Sequence, residues 1–305
     1  MGSKNSVYIS VPVNISRNMI MSIREICTDS EVFSSSKKYY ADDMAFLEKI
    51  KQGKIEEIPD IIVTIRPEIL WEKNYLADSG YFDGQYRYDV DNFIGSKGFI
   101  DERWILKPVF IMPLIIFYNT NVQNPPESWE SLMESRFKGN ILCTNENTPP
   151  AILFRRFYTH SFGHKGKDFV DNSVNYRGLP IDVNIAVGKG EYDIGIMPIS
   201  FAKFSRDNSA DFCWPSEGAL PLMQVMIMKN SFRDDSKKAA DFLISEKTQQ
   251  IFSKSAGFIP VIPDVTPPLE FLKNNRNLLW RGWDSFVDMA HIRHEVHLTG
   301  GEDHE

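Results

Sequence analysis

VNIAVGKGEYDIGIMPISFAKF, residues Val183 to Phe204, packs a helix end, a glycine turn and a buried strand into one short span. Asn184 to Val187 reads as the tail of a helix, and Gly188 and Gly190 are residues able to take the left-handed backbone that ends one. Ile194 to Met197 is a short apolar run suited to a covered strand. Pro198 closes that strand and Ile199 to Phe204 restarts a helix. The stretch is therefore a helix-to-strand unit of an α/β layer, and the turn after its strand is where open α/β sheets place ligands.

Upstream, Ile141 to Thr144 is a short strand, and the loop Thr144 to Pro150, TNENTPP, leads into an apolar helix over Ala151 to Tyr158. Thr148 is a fitting N-cap, and prolines in the first turn cost little because their missing N–H groups would have had no helical partner. A helix start facing a cleft attracts anions through its N–H groups and dipole, so Thr144, Asn145 and Thr148 are ligand candidates; the plainer reading of Thr148 is a cap alone. Of Arg155 and Arg156, one is expected to pair with a surface acid; the other could neutralise an anion, but a ligand role is not the favoured reading for either. Arg103 to Tyr118 passes from one lobe to another: Val109 to Phe117, although it contains Pro113, reads as a buried strand, with Trp104, Phe110 and Phe117 as core.

At the N-terminal end, Val7 to Val11 reads as a strand closed by Pro12, and Ser16 as the cap of a helix whose Met19, Ile20, Ile23 and Ile26 form one apolar face. Ser30 to Lys38 is serine-rich and reads as a loop; Ala41 to Lys51 is a second helix with Met44, Leu47 and Ile50 inward. Asp60 to Ile65 is a strand whose continuous Ile61, Ile62 and Val63 suit parallel pairing with both faces covered. Strand, helix and strand in that order imply right-handed crossovers and a doubly wound layer. Arg66 follows the carboxyl end of this strand, and its guanidinium suits a carboxylate or phosphate; the plainer reading is an exposed turn arginine. In the irregular stretch Gly80 to Gly98, Asp89 and Asp91 read as turn residues, lacking the glycine and distal glutamate of a calcium loop.

Composition narrows the function classes. The 305 residues are 42% apolar, enough for a large core, and carry a net charge of −7 with no Lys/Arg run of the kind nucleic-acid binding needs. Cys27, Cys143 and Cys213 are widely spaced and odd in number, which supports neither a disulfide framework nor a thiolate zinc site. His291, His294 and His297 with Glu295, and His304 beyond, read as a solvated tail; His160 and His164 lie too far along the chain to be counted with them. No apolar run reaches the ~20 residues of a membrane span. The opening MGSKNSVYIS has no leader pattern, consistent with a mature form or a cytosolic protein. No nucleophile elbow, phosphate-binding loop, His-Glu-x-x-His or dinucleotide fingerprint occurs, which favours binding over catalysis, and no cofactor or metal is expected.

Several segments, in order, carry a resemblance to a known family. Phe117 to Asn121, with Pro125, Pro126, Trp129 and Leu132 and then Phe137, Lys138 and Gly139, resembles the aromatic strand, Tyr-Asn-Thr turn, Pro-Pro-x-x-Trp helix start and Phe-Lys-Gly turn of the extracellular solute-binding proteins of ABC importers, in the branch of ferric-iron and small-ligand binders. Glu217 to Lys229 resembles that family's return segment. Ala239 to Pro260, with Phe242, Ser245, Gln249 and Gly257, resembles its closing helices. Together with the opening stretch these cover roughly the last two thirds of the chain.

The resemblance implies an α/β, two-lobed type II periplasmic-binding-protein fold with a hinge and an interlobe cleft, lobe 1 being residues 1–107 with 217–305 and lobe 2 residues 108–216. Closure would bring Pro12 and Arg66 against Thr144, Asn145, Thr148, Met197 and Ser200, with Tyr176 and Tyr192 the remaining phenols of interest. Ferric-binding members hold iron with two adjacent tyrosines shortly after the strand that matches Ile194 to Met197; Ser200 and Phe201 stand there, so iron coordination of that kind is not expected. The family reading implies a small-molecule or ion ligand, an ABC permease as partner, a monomer, and a periplasmic or cell-surface location. The competing readings are a cytosolic enzyme or ligand sensor on the same fold, and an interaction module with a degenerate pocket.

Overall fold

The computed structural model describes residues 5–34, 41–203 and 208–290. The histidine-bearing tail, Phe204 and part of the serine-rich stretch lie outside the described residues.

The chain begins β1 (Ser6–Ile9), α1 (Val13–Ile26), β2 (Glu31–Phe33), α2 (Ala41–Lys51), β3 (Ile61–Thr64). Short helices α3 (Pro67–Trp71), α4 (Lys73–Asp78) and α5 (Asn92–Ser96) lead to the long strand β4 (Lys107–Asn119). The middle comprises β5 (Ile141–Cys143), α6 (Pro149–Asn172), β6 (Val174–Tyr176), α7 (Pro180–Gly188), β7 (Ile194–Pro198), α8 (Ile199–Ala202) and β8 (Ala210–Cys213). The chain returns through β9 (Leu220–Met228), α9 (Asp234–Leu243), α10 (Glu246–Ala256), β10 (Ile259–Pro260), α11 (Leu269–Lys273) and α12 (Trp283–Asp288).

The strands form one sheet in the order β2-β1-β3-β9-β4-β7-β5-β6, with β8 and β10 also on β4. The triplet β2-β1-β3 is parallel, the triplet β7-β5-β6 is parallel, and the two are joined by the antiparallel pair β9 and β4. Direction follows from register. β3 is antiparallel to β9, which is antiparallel to β4, so the first triplet runs with β4; β7 is antiparallel to β4, so the second triplet runs against it. Thr64 at the end of β3 is level with Pro108 through Val225, and Pro198 at the end of β7 is level with Leu114. The carboxyl ends of the two triplets therefore face each other across six positions of β4, about 20 Å at strand rise.

Burial explains why these segments form strands. All of β3, β7 and β9 is buried, and β4 is buried at every position except Tyr118, which is half-buried. Such strands read as continuous apolar runs because both faces are covered. Pro113 is accommodated within β4 opposite Pro221. Phe110 and Phe117 are core as expected, whereas Trp104 is half-buried against Tyr88 at 5.2 Å.

The structure corrects several local expectations. Ser16 does not cap α1: the helix starts at Val13 with Pro12 as N-cap, and the Pro12 carbonyl accepts from Ile15 and Ser16 N–H at 3.0 and 3.1 Å. Part of the serine-rich loop is strand β2, too short for periodicity to reveal. Gly188 belongs to α7, and Gly190, at φ 74°, alone makes the left-handed turn into β7. Asp91 is the N-cap of α5, accepting from Phe93 N–H at 2.9 Å. α6 runs to Asn172, bent at Gly163, where φ 55° and ψ −132° break the helix.

Lys107, fully buried where β4 begins, ties the 83–104 loop to the sheet by donating from Nζ to the carbonyls of Asp83 and Trp104, the latter at 2.5 Å. Burial lowers its pKa from 10.5 to about 8 against the opposing pull of Asp83. From pH 8 toward 10.5 the unfolded chain holds this proton and the folded one does not, so the group's contribution to stability rises with pH through that window. Urea midpoints at pH 7.5 and 9.5 should show this gain in the wild type and lack it in Lys107→Met, which should also be less stable because two buried carbonyls lose their donor.

Candidate functional site

The facing carboxyl ends gather the polar side chains that the core excludes. On the first triplet, β1 gives way to Ser10, Val11 and Pro12, all buried, and Ser10 N–H donates to Val63 carbonyl at 2.9 Å. Behind this corner Asp43, fully buried on the inner face of α2, accepts from the Tyr8 hydroxyl and from Thr64 Oγ1 at 2.5 Å. Burial raises the Asp43 pKa to about 6, while Thr64, Tyr8, Arg66 and Ser10 pull it down. Between the ordinary carboxylate value and about 6 the folded state holds this proton more tightly than the unfolded chain. The fold thus gains stability from Asp43 as pH falls through that range, and pays for its charge above it.

Thr64 Oγ1 in turn accepts from Arg66 N–H at 3.2 Å. The Arg66 side chain is buried; it pairs with Glu68 through Nη2, and Nη1 donates to the Asn147 carbonyl at 3.0 Å. That last bond joins the end of the first triplet to the β5–α6 loop of the second. Beside it Gln224 of β9, fully buried, donates from Nε2 to Ser10 carbonyl at 2.9 Å, and its Oε1 has no hydrogen-bond partner among the described residues. Ser10 Oγ lies close enough to lower the Asp43 pKa but makes no bond of good geometry. Nearly all buried polar atoms in folded proteins are paired, and these two orphans lie together where the Gln224 amide meets the Ser10 carbonyl just beyond β1.

On the second triplet, Thr144 and Thr148 are buried and share a hydrogen bond between their hydroxyls at 2.5 Å, and Thr148 Oγ1 donates to Asn145 carbonyl at 2.7 Å. Asn145, half-buried, anchors the loop, its N–H donating to Gly178 carbonyl at 2.8 Å. Thr148 holds the N-cap position of α6 but its side chain caps nothing. With Pro149 and Pro150 as the first two helical residues, the only first-turn N–H is that of Ala151, which makes this a poorer anion site than a helix start without prolines. Ser200 is buried in α8 with its Oγ unpartnered among the described residues.

Two sequence candidates lie apart from this convergence. Met197 is fully buried, and its Cε lies 3.4 Å from where a Cβ on Gly195 would stand, a point also met by Val183 and Val187 of α7; it fills the helix-facing core rather than the opening. Tyr176, half-buried at the end of β6, lies under the Arg155 guanidinium at 5.5 Å, and burial pushes its pKa well up. Arg155 also pairs with Asp171 at 3.3 Å, as expected of one of the two arginines, while Arg156 stacks over Trp71 of α3 at 5.7 Å. His160 and His164 are both exposed on α6.

Sequence reasoning missed Asp43, Glu68 and Gln224. A signal existed for the first, since Asp43 shares the helical face of Phe46, Leu47 and Ile50, where a carboxylate has no bland reason to be.

Comparison with known proteins bears on what these residues serve. The family model described as bacterial extracellular solute-binding protein matches residues 56–288. The "Putative 2-aminoethylphosphonate-binding periplasmic protein" of Salmonella typhi is 24% identical over 192 residues, 57% of this chain and 56% of that relative; the chain thus spans little over half of its length. Among solved structures, the ferric binding protein from Campylobacter jejuni superposes with TM-score 0.73 at 18% identity, over 93% of this chain and 95% of that one. The apo ferric ion-binding protein A of Pasteurella haemolytica gives TM-score 0.68 at 12% identity, over 94% and 96%. The architecture is the α/β fold of the type II periplasmic binding proteins.

Proposed function

Because the chain belongs to the bacterial extracellular solute-binding proteins, we propose that it captures a small oxyanion-bearing solute between the facing strand ends and delivers it to an ABC permease. The observation that carries this reading is the Arg66 arm, which reaches from the end of β3 to the Asn147 carbonyl, with the unpartnered buried atoms of Ser10 and Gln224 on its own side. Lobe 1 would be residues 1–107 with 217–305 and lobe 2 residues 108–216, with β4 and β9 as the hinge strands. Closure excludes water and strengthens each polar contact. Pro12 sets the chain's path at the β1–α1 corner, Arg66 with Ser10 and Gln224 holds one end of the solute, and Thr144, Asn145, Thr148 and Ser200 hold the other. Met197 and Tyr176 support that wall from behind.

The ligand class follows from the residues and from the relatives. Ser200 and Phe201 stand where ferric-binding members carry two tyrosines, which argues against phenolate-held iron and for an organic oxyanion. The Salmonella relative's described ligand, 2-aminoethylphosphonate, is of that kind. The protein would act as a periplasmic or cell-surface monomer without catalysis. Thermal-shift measurements against 2-aminoethylphosphonate, inorganic phosphate, citrate and ferric ion test this. A ligand that binds only the folded state raises its melting temperature. A shift with a phosphonate or carboxylate is the expected result, a shift with ferric ion alone would overturn the ligand class, and no shift at all would remove the solute-binding reading.

A further inference from the structure

A fully buried carboxylate costs stability unless it is compensated, and the one on α2 is held by the Tyr8 and Thr64 hydroxyls. Its bonds run in one direction. Thr64 Oγ1 gives its proton to Asp43 at 2.5 Å and therefore presents its lone pairs to the Arg66 N–H at 3.2 Å. The Arg66 side chain completes the chain by donating to the Asn147 carbonyl at 3.0 Å across the opening. Asp43 thus fixes the rotamer of Thr64, Thr64 fixes the backbone at Arg66, and Arg66 makes the contact between the two triplets.

We propose that Asp43 is the positioning residue of this cross-cleft arm, and that its ionisation couples cleft closure to pH. The proposal rests on the reading of the cleft as one that closes on a solute. Among the described residues the groups facing Asp43 are the Tyr8 hydroxyl and Ser10 from β1 and the corner after it, Thr64 from β3, and the Arg66 guanidinium, itself paired with Glu68. A single positive charge and three hydroxyls therefore face it. Protonation would remove its attraction for Arg66 and turn one carboxyl oxygen from acceptor to donor. With the proton on Oδ2, which Thr64 faces, the Thr64 hydroxyl must turn and accept from the carboxyl, so the lone pairs it held toward the Arg66 N–H are no longer fixed. With a pKa of about 6 the change falls between neutral and mildly acidic conditions. A bound solute would then be held in neutral surroundings and released more readily in acidic ones.

The test needs no ligand. Spin labels on Met21→Cys and Ile185→Cys, both exposed, report the distance between the two halves by electron–electron resonance; Cys213→Ser removes the half-buried thiol, and Cys27 and Cys143 are buried. The expected result is a longer, broader distance distribution at pH 5.0 than at pH 7.5 in the otherwise wild-type chain, no change in Asp43→Asn, and a smaller change in Thr64→Val, which keeps the attraction between Asp43 and Arg66. If Asp43→Asn fails to fold, Thr64→Val decides, because it keeps the carboxylate and breaks the hydrogen-bonded link. A wild-type distribution that is the same at both pH values, or a pH response undiminished in Thr64→Val, overturns the proposal. A pH-silent hinge in a protein that binds solute would sink this inference alone, whereas failure to bind any solute would sink the functional reading and leave this measurement standing.

Discussion

Arg66→Ala should weaken binding of the cognate solute by about 10- to 100-fold, the loss of one to two charge-assisted hydrogen bonds at ~1.5 kcal/mol or more each. The guanidinium is buried, bridges Glu68 and the Asn147 carbonyl, and sits at the carboxyl end of β3. Its removal takes away the arm between the two triplets and leaves the Glu68 carboxylate without its ion-pair partner in a place where only a quarter of that side chain reaches water. Arg66→Lys should recover only part of the affinity, because an ammonium cannot reach Glu68 and Asn147 together with the geometry of a planar fork. Arg103→Ala, which removes an exposed pair with Asp78, should leave affinity unchanged. Isothermal titration of the three variants checks this; an unaltered affinity in Arg66→Ala would show that the solute is held elsewhere.

Trp129→Ala should cost about 3–5 kcal/mol of stability, the range for emptying a large aromatic site. Trp129 is fully buried against Phe154 and Phe157 at 6.2 and 6.0 Å, and its indole Nε1 donates to Gly218 carbonyl at 2.8 Å. Its backbone carbonyl accepts from the Tyr158 hydroxyl, and its N–H donates to Glu217 Oε1 at 3.0 Å. One residue thus fastens α6 to the turn that enters β9, a hinge strand in the proposed closure. Trp129→Phe keeps most of the packing but leaves the Gly218 carbonyl unpaired, so its loss should be nearer 1–3 kcal/mol. Urea denaturation separates the two, and a loss below 1 kcal/mol in Trp129→Ala would contradict the packing described.

Much of the fold was legible because strands buried on both faces announce themselves as apolar runs. Ile61 to Val63, Val109 to Phe117 and Ile194 to Met197 all fall within observed strands. What escaped was decided by tertiary pairing or by single bonds. β2 is three residues long and exists because β1 offers it an edge. α1 begins at Val13 because the Pro12 carbonyl before it satisfies two N–H groups, which no side-chain preference at Ser16 could foretell. The position of Thr148 was readable, but its side-chain partner, Thr144, depends on the path of the loop between them. Arg66 could be nominated from its place after a strand, whereas its partners Glu68 and Asn147 and the supporting chain through Thr64 to Asp43 required the two halves to be set against each other.

The central claim, that this cleft holds a small solute, is tested most directly by native mass spectrometry of the protein before and after addition of the thermal-shift panel. The account predicts a single stoichiometric adduct, with a phosphonate or carboxylate, that is lost in Arg66→Ala. The bare polypeptide mass at saturating concentrations of every compound, or an adduct that Arg66→Ala retains in full, would contradict it.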